Sequence, residues 1–322
     1  MLPTNPNNDY DAAVNHAVWF DFSACGKVEI SGPEACAFLH NLATQDVKNL
    51  PLHASCEAFL TTNKARVVAH VSISRVKDDL LLLDFAPGLA EKMLAHLNHF
   101  LISEQAEIVD RSADYAMFRI VGPASSAILD GGDLKLDRLQ MRGEAGFIRR
   151  HNLLNLDGFD WICPIANVET VRARLAGFAP GTLTSYETLR IEAGFPALGA
   201  EYDDQRFAME IDRTRQAICY TKGCFLGQET IVMARDRGQL NRVLRGLVTR
   251  EKSVPAVGAK VLKGSEEVGA VTSAVYSPRR GCAIALAYLR RGSWDPGTDV
   301  TINGNPAVVS ALPFSLPELA GA

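Results

Sequence analysis

The sequence predicts an α+β protein: two pseudo-repeated α+β modules followed by a small antiparallel β-barrel at the C-terminus. Three observations lead there. A strand–Gly-Pro–helix unit occurs twice, at residues 28–39 and 118–129, with Ile30, Gly32, Pro33, Ala37 and Leu39 mapping onto Ile120, Gly122, Pro123, Ala127 and Leu129. From about Asn241 the texture changes to short β-rich runs divided by Gly, Pro and Asn. At 322 residues, with 47% hydrophobic and 22% charged residues, the chain has an ordinary globular composition and is too long for one simple core.

Each element follows from local chemistry. In both copies an apolar run ends at Gly-Pro, and proline in the first helical turn starts an amphipathic helix. The first copy continues with a strand at Leu80–Phe85, then Pro87 and a helix to about Phe100. The second continues with a strand at Phe159–Cys163, then Pro164 and a helix from Val168 to about Leu175. Tyr186–Ala193 has helical spacing, stopped by Gly194 and Pro196. Beyond residue 240 the strands fall at Val243–Thr249, Lys260–Lys263, Val268–Tyr276, Ala283–Tyr288, Asp299–Ile302 and Ala307–Ala311. Asn303-Gly304 has the chemistry of a hairpin turn between the last two. The expected domains are residues 1–240, built from modules of about 1–110 and 111–240, and a barrel over 241–322.

Bulk properties remove several function classes. A formal net charge of −4 gives no general attraction to nucleic acid, so an anionic ligand needs a local basic patch. The N-terminus shows neither the basic nor the apolar region of a secretory signal, and Leu80–Leu83 is far too short to span a bilayer. Seven cysteines without a C-x-x-C pair suit free thiols in the cytoplasm. Cys219 and Cys224 form a C-x4-C pair with no second pair, and His96-x-x-His99 has no third ligand, so neither marks a metal site.

The segment 221–229, Thr-Lys-Gly-Cys-Phe-Leu-Gly-Gln-Glu, carries the most chemistry. Its glycines allow a tight path or close approach to a ligand. Lys222 lies two residues from Cys224, where its charge would favour the thiolate. Gln228 and Glu229 stand where a helix through Thr230–Met233 begins. Upstream, Arg190 and Glu192 are two residues apart on a helix and point to different faces. Downstream, Arg235, Arg237, Arg242 and Arg245 form either an anion-binding cluster or a solvated basic loop.

The run Leu-Arg-Ile-Glu-Ala-Gly-Phe-Pro-x-x-Gly at 189–199, followed by Lys-Gly-Cys-Phe-x-Gly-Gln-Glu at 222–229, resembles the folate-binding YgfZ family. That family is the branch of the aminomethyltransferase (glycine cleavage T-protein) superfamily linked to iron–sulfur-cluster maintenance and tRNA modification. Ile30–Leu39, Thr44-Gln-Asp-Val47, Val268–Ser273, Ser277-Pro278 and Ala283–Tyr288 are also similar to it, so the resemblance covers nearly the whole chain. It implies two folate-binding modules joined to a barrel around a tetrahydrofolate. It also implies partners among iron–sulfur client enzymes, and neither nucleic acid nor membrane. On this reading Cys224 and Lys222 are catalytic, with Cys224 a reactive thiol. Arg190 meets the folate's glutamate tail, Glu192, Tyr186 and Asp160 line the pterin or its channel, and Gln228, Glu229 and His70 also bind the folate.

One stretch departs from the superfamily's pattern. Glycine-cleavage enzymes draw a catalytic aspartate from the segment corresponding to Thr61–His70. Here Ala65 replaces a glycine, and Ala69-His70 stands where carboxylates would fall. A histidine can replace a carboxylate as acid or base, or it can simply be packed. The missing carboxylate argues against aminomethyl transfer, and Cys224 argues for a thiol-dependent role, that of a folate-binding protein supporting iron–sulfur cluster assembly or repair. The alternative is a folate-dependent one-carbon transferase.

Overall fold

The structure is a computed structural model and describes residues 6–238 and 240–315. In chain order its helices are α1 (Pro6–Asn15), α2 (Ala35–Leu42), α3 (Ala90–Phe100), α4 (Val168–Arg174), α5 (Leu183–Glu192), α6 (Thr214–Ala217) and α7 (Gln228–Arg237). The first eleven strands are β1 (Val18–Asp21), β2 (Gly26–Ser31), β3 (Ser55–Thr61), β4 (Val67–Lys77), β5 (Leu80–Phe85), β6 (Glu107–Asp110), β7 (Tyr115–Val121), β8 (Leu139–Met141), β9 (Phe147–His151), β10 (Gly158–Pro164) and β11 (Ala179–Pro180). Six more complete the chain: β12 (Arg242–Thr249), β13 (Lys260–Lys263), β14 (Glu266–Ser277), β15 (Cys282–Arg290), β16 (Asp299–Ile302) and β17 (Asn305–Ser310).

The internal repeat is real at the level of backbone hydrogen bonds. Gly32 and Gly122 have φ of 121° and 129°. The Gly32 N–H bonds the Asp79 oxygen at 2.9 Å, and that of Gly122 bonds the Asp157 oxygen at 2.8 Å. A side chain at either glycine would strike backbone, the Gln105 oxygen or the His16 and Ala13 oxygens. The helices differ. α2 buries Ala35, Phe38, Leu39 and Leu42 at helical spacing, whereas the matching Ser125–Leu129 is only a 3-10 turn. Asp130 at φ 54° and Gly131 at φ 84° stop it after five residues.

Two sheets result, in the orders β3-β4-β5-β2-β6 and β11-β1-β7-β10-β9-β8. They exchange strands. β1 runs directly into β2 but pairs with β7, and β6 runs directly into β7 but pairs with β2. The first sheet is covered by α2 and α3 through Val28, Ile30, Phe38, Leu39, Met93 and Leu97. Phe118, Ile120, Phe159, Trp161, Val171 and Leu175 fill the second core.

β12–β17 close into a six-stranded barrel in the order β12-β15-β14-β13-β16-β17. Asn303 and Gly304 turn with φ of 50° and 85°, the paired left-handed geometry of a tight hairpin. β15 reads as an unbroken apolar run because both of its faces are covered. Ala285, Ala287 and Leu289 fill the barrel core, while Ile284, Leu286 and Tyr288 pack with Ile191 of α5 and with Phe314. No helix among the described residues is long and apolar enough to cross a membrane.

By contacts the chain divides into two compact units. One comprises the described residues up to Asn152, Leu156–Thr182 and Arg213–Val232, and so holds both sheets. The other comprises Leu153–Asn155, Leu183–Asp212 and the described residues from Met233 on, and so holds α5 and the barrel.

Candidate functional site

In the first unit, β3 and β4 form a hairpin that pairs Phe59 with His70 and Glu57 with Ser72. Glu57 and His70 are therefore diagonal neighbours on one face. His70 Nε2 lies 2.8 Å from Glu57 Oε1. Arg213, just before α6, grips both oxygens of the same carboxylate with Nε and Nη2 at 2.5 Å each. The His70 ring leans on Phe59 at 4.9 Å between centroids. Burial pushes the Glu57 carboxyl up, but the Arg213 guanidinium above all, with the hydrogen-bonded His70 beside it, outweighs burial and holds the group down at about 2.

A carboxyl depressed in the folded state stabilises the fold above its unfolded value of 4.5 and loses that contribution as pH falls toward about 2. Urea unfolding of wild type against Glu57→Gln should therefore show an advantage of about 3 kcal/mol near neutrality. That advantage should shrink between pH 4.5 and 2. A difference independent of pH across this window would show that Glu57 is not held as described.

The 221–229 segment docks on the same unit. Lys222 is buried, and its Nζ donates to the carbonyls of His40, Ala43 and Gln45. Three N–H groups meet three oxygens, so the ammonium is committed to backbone. This corrects the expectation that Lys222 serves Cys224: its charge is directed into α2's end. Burial lowers the Lys222 pKa to about 8, with Asp46 acting in the opposite sense. Cys224 is exposed. Gln228 and Glu229 open α7, half-buried and exposed respectively.

The other nominated side chains are engaged within the protein. Arg190, 3% exposed, donates to Glu187, Glu201, Ser273 Oγ and the Phe195 oxygen. No donor of that guanidinium is left for a ligand carboxylate. Glu192, fully buried, accepts from Ser277 Oγ at 2.5 Å and from Arg279 Nη2 at 2.9 Å. Tyr186 lies on α5 beside them and is 8% exposed. Asp160, on β10 of the first unit, is fully buried between Arg119, Arg149 and His151. Those charges outweigh burial and hold it well below the usual carboxylate range.

Measured against a tetrahydrofolate, these residues divide. Arg190, Glu192 and Asp160 are saturated by protein partners. The side chains of Gln228 and Glu229 make no hydrogen bond among the described residues, which leaves an amide and a carboxylate for a polar ligand such as a pterin.

The remaining basic cluster is mostly paired: Arg235 with Asp236, Arg242 with Glu210 and Arg245 with Asp212. The Arg237 side chain lies outside the described residues. No group of three His, Cys, Asp or Glu residues suited to a metal occurs among the described residues. Glu57 and Arg213 escape a linear reading because they lie 13 and 143 positions from His70. The signal that could find Glu57 is the Thr62–Arg66 turn, which folds residues near 57 back onto those near 70.

Comparison with known proteins agrees with this architecture. The GCVT N-terminal domain family matches residues 4–143, and the glycine cleavage T-protein C-terminal barrel domain matches residues 242–315. An aminomethyltransferase of Thermus thermophilus is 30% identical over 94% of this chain and 88% of its own length. One of Rubrobacter xylanophilus is 30% identical over 95% and 85%. The crystal structure of glycine cleavage system aminomethyltransferase T from Bartonella henselae superposes with a TM-score of 0.90 at 21% identity, covering 97% of this chain and 90% of that one. Fold, barrel and sequence thus agree, and the chain belongs to the aminomethyltransferase (glycine cleavage T-protein) family.

Proposed function

We propose that the protein is a tetrahydrofolate-dependent aminomethyltransferase in which His70, backed by Glu57 and Arg213, performs the acid–base work. The observation that carries this reading is the Arg213–Glu57–His70 chain, because it returns a carboxylate to the segment from which one was missing in the sequence. Bound tetrahydrofolate supplies the nitrogen that accepts the one-carbon unit. Among the nominated residues that are described, Gln228 and Glu229 have side chains available to hold it. The proton on Nε2 is shared with Glu57 Oε1, which fixes the ring and stabilises the imidazolium whenever the histidine gains a second proton. Arg213 keeps Glu57 ionised, so the mobile proton stays on the imidazole rather than passing to the carboxylate. The imidazole can then take up a proton during transfer and return it to the departing amine.

A second reading, support of iron–sulfur client enzymes in the manner of the YgfZ branch, is favoured by the exposure of Cys224 on a glycine-flanked loop. One experiment separates the two. Purified full-length protein is supplied with tetrahydrofolate and an aminomethyl donor, and methylene-tetrahydrofolate and released ammonia are measured together. Equal formation of both, undiminished in Cys224→Ser, is the expected result. Tetrahydrofolate binding without turnover, combined with folate-dependent slowing of thiol labelling at Cys224, would reject the transferase in favour of the second reading.

A further inference from the structure

The last carbonyls of a helix have no partner inside it and must find one elsewhere. In α2 the Leu39 oxygen accepts from the Ala43 N–H. The next two are met from far along the chain: His40 by Lys222 Nζ and Asn41 by the Leu226 N–H at 2.9 Å. The Ala43 and Gln45 oxygens complete the ammonium's set at 2.6 and 3.0 Å. The Cys219 N–H adds a bond to the Thr44 oxygen at 2.9 Å. The Phe225 ring lies under the ammonium at 4.9 Å. A cation in this place also opposes the negative end of the helix dipole.

The other side of the same loop presses on the turn between β3 and β4. Thr61 Oγ1 donates to the Leu226 oxygen at 2.8 Å. A Cβ on Gly227, itself at φ 84°, would sit 2.7 Å from the Thr62 oxygen and 3.1 Å from Ala65 Cα. Ala65, 1% exposed, holds a left-handed φ of 55° that alanine rarely adopts, so surrounding contacts must impose it.

We propose that Lys222 is a positioning residue: as the C-terminal cap of α2 it clamps the 217–227 loop against the β3–β4 turn and so fixes the hairpin that carries Glu57 and His70. The clamp stands on loop geometry alone; its bearing on turnover rests on the transferase reading. Lys222→Met keeps the apolar stem and removes the ammonium. Hydrogen exchange of the full-length protein at neutral pH reads the Cys219 and Leu226 amides against β15 amides of the barrel. Both loop amides should exchange about tenfold faster or more in Lys222→Met, the scale of a lost hydrogen bond to a charged group. Lys222→Arg, which keeps a cationic donor, should recover much of the protection. In the transfer assay kcat should fall about tenfold while KM for tetrahydrofolate stays within about twofold. Unchanged protection in Lys222→Met would overturn the proposal. Should that variant not fold, the wild type still tests it, because one clamp requires the two amides to open together; opening rates more than about tenfold apart would overturn it. Altered exchange with no turnover in the wild type would uphold the clamp and reject the transferase reading.

Discussion

His70→Ala should lower the turnover of tetrahydrofolate with an aminomethyl donor by about 10²–10⁴-fold, the range for loss of a positioned acid–base group. Binding should change little, because Gln228 and Glu229 stand at the start of α7 and not on the β3–β4 hairpin that carries His70. Glu57→Gln should fall between wild type and His70→Ala: it keeps a hydrogen-bonding group at Nε2 but removes the charge that stabilises the imidazolium. The measurement is kcat and KM for each variant, with thermal unfolding as a check on folding. Retention of turnover within about tenfold in His70→Ala would remove the histidine from the chemistry.

Asp160→Asn is the substitution expected to damage the fold most. Asp160 joins Arg119 to Arg149, and Arg149 in turn reaches Asp84 on β5 and Ser74 on β4. Two arginines, two aspartates and His151 thus tie the two sheets of the first unit together beneath their surfaces. Asparagine fits the space but leaves the buried Arg119 guanidinium without its counter-charge. Breaking one partner of a buried pair costs about 3–5 kcal/mol, whereas replacing the whole pair with apolar residues is often nearly neutral. Chemical denaturation should therefore place Asp160→Asn well below wild type, and an Arg119→Met, Asp160→Leu double variant closer to it. A single variant within about 1 kcal/mol of wild type would mean that water or rearrangement already screens these charges.

The barrel was legible in the sequence because its signals are local. Two of its six strands, Lys260–Lys263 and Asp299–Ile302, have the predicted ends, and the Asn303-Gly304 turn is where its chemistry puts it. The repeat was legible for the same reason, since a Gly-Pro break after an apolar run needs no distant partner. Side-chain roles were less so. Arg190 looks like a free cation in sequence, yet Glu201 lies 11 residues on and Ser273 lies 83 on, and both reach it only after folding. Lys222 seems to belong to Cys224 by proximity, but its ammonium is drawn to carbonyls about 180 positions earlier. Ala69-His70 shows no carboxylate in sequence, and only the β3–β4 hairpin brings the Glu57 carboxylate to within 2.8 Å of the His70 ring.

The exchanged strands bear on how the protein is made. β1 emerges early, but its antiparallel partner β7 follows about a hundred residues later, and β6 leaves its own neighbour to complete the sheet of β2. A nascent chain that has not yet reached Val121 therefore carries an apolar strand with no one to pair with, and neither half of the repeat is self-sufficient. Sequence-distant closure of this kind favours slow, late consolidation over domain-by-domain folding. Each half of the repeat lends a strand to the other's sheet, so neither sheet can be completed until both halves have been made.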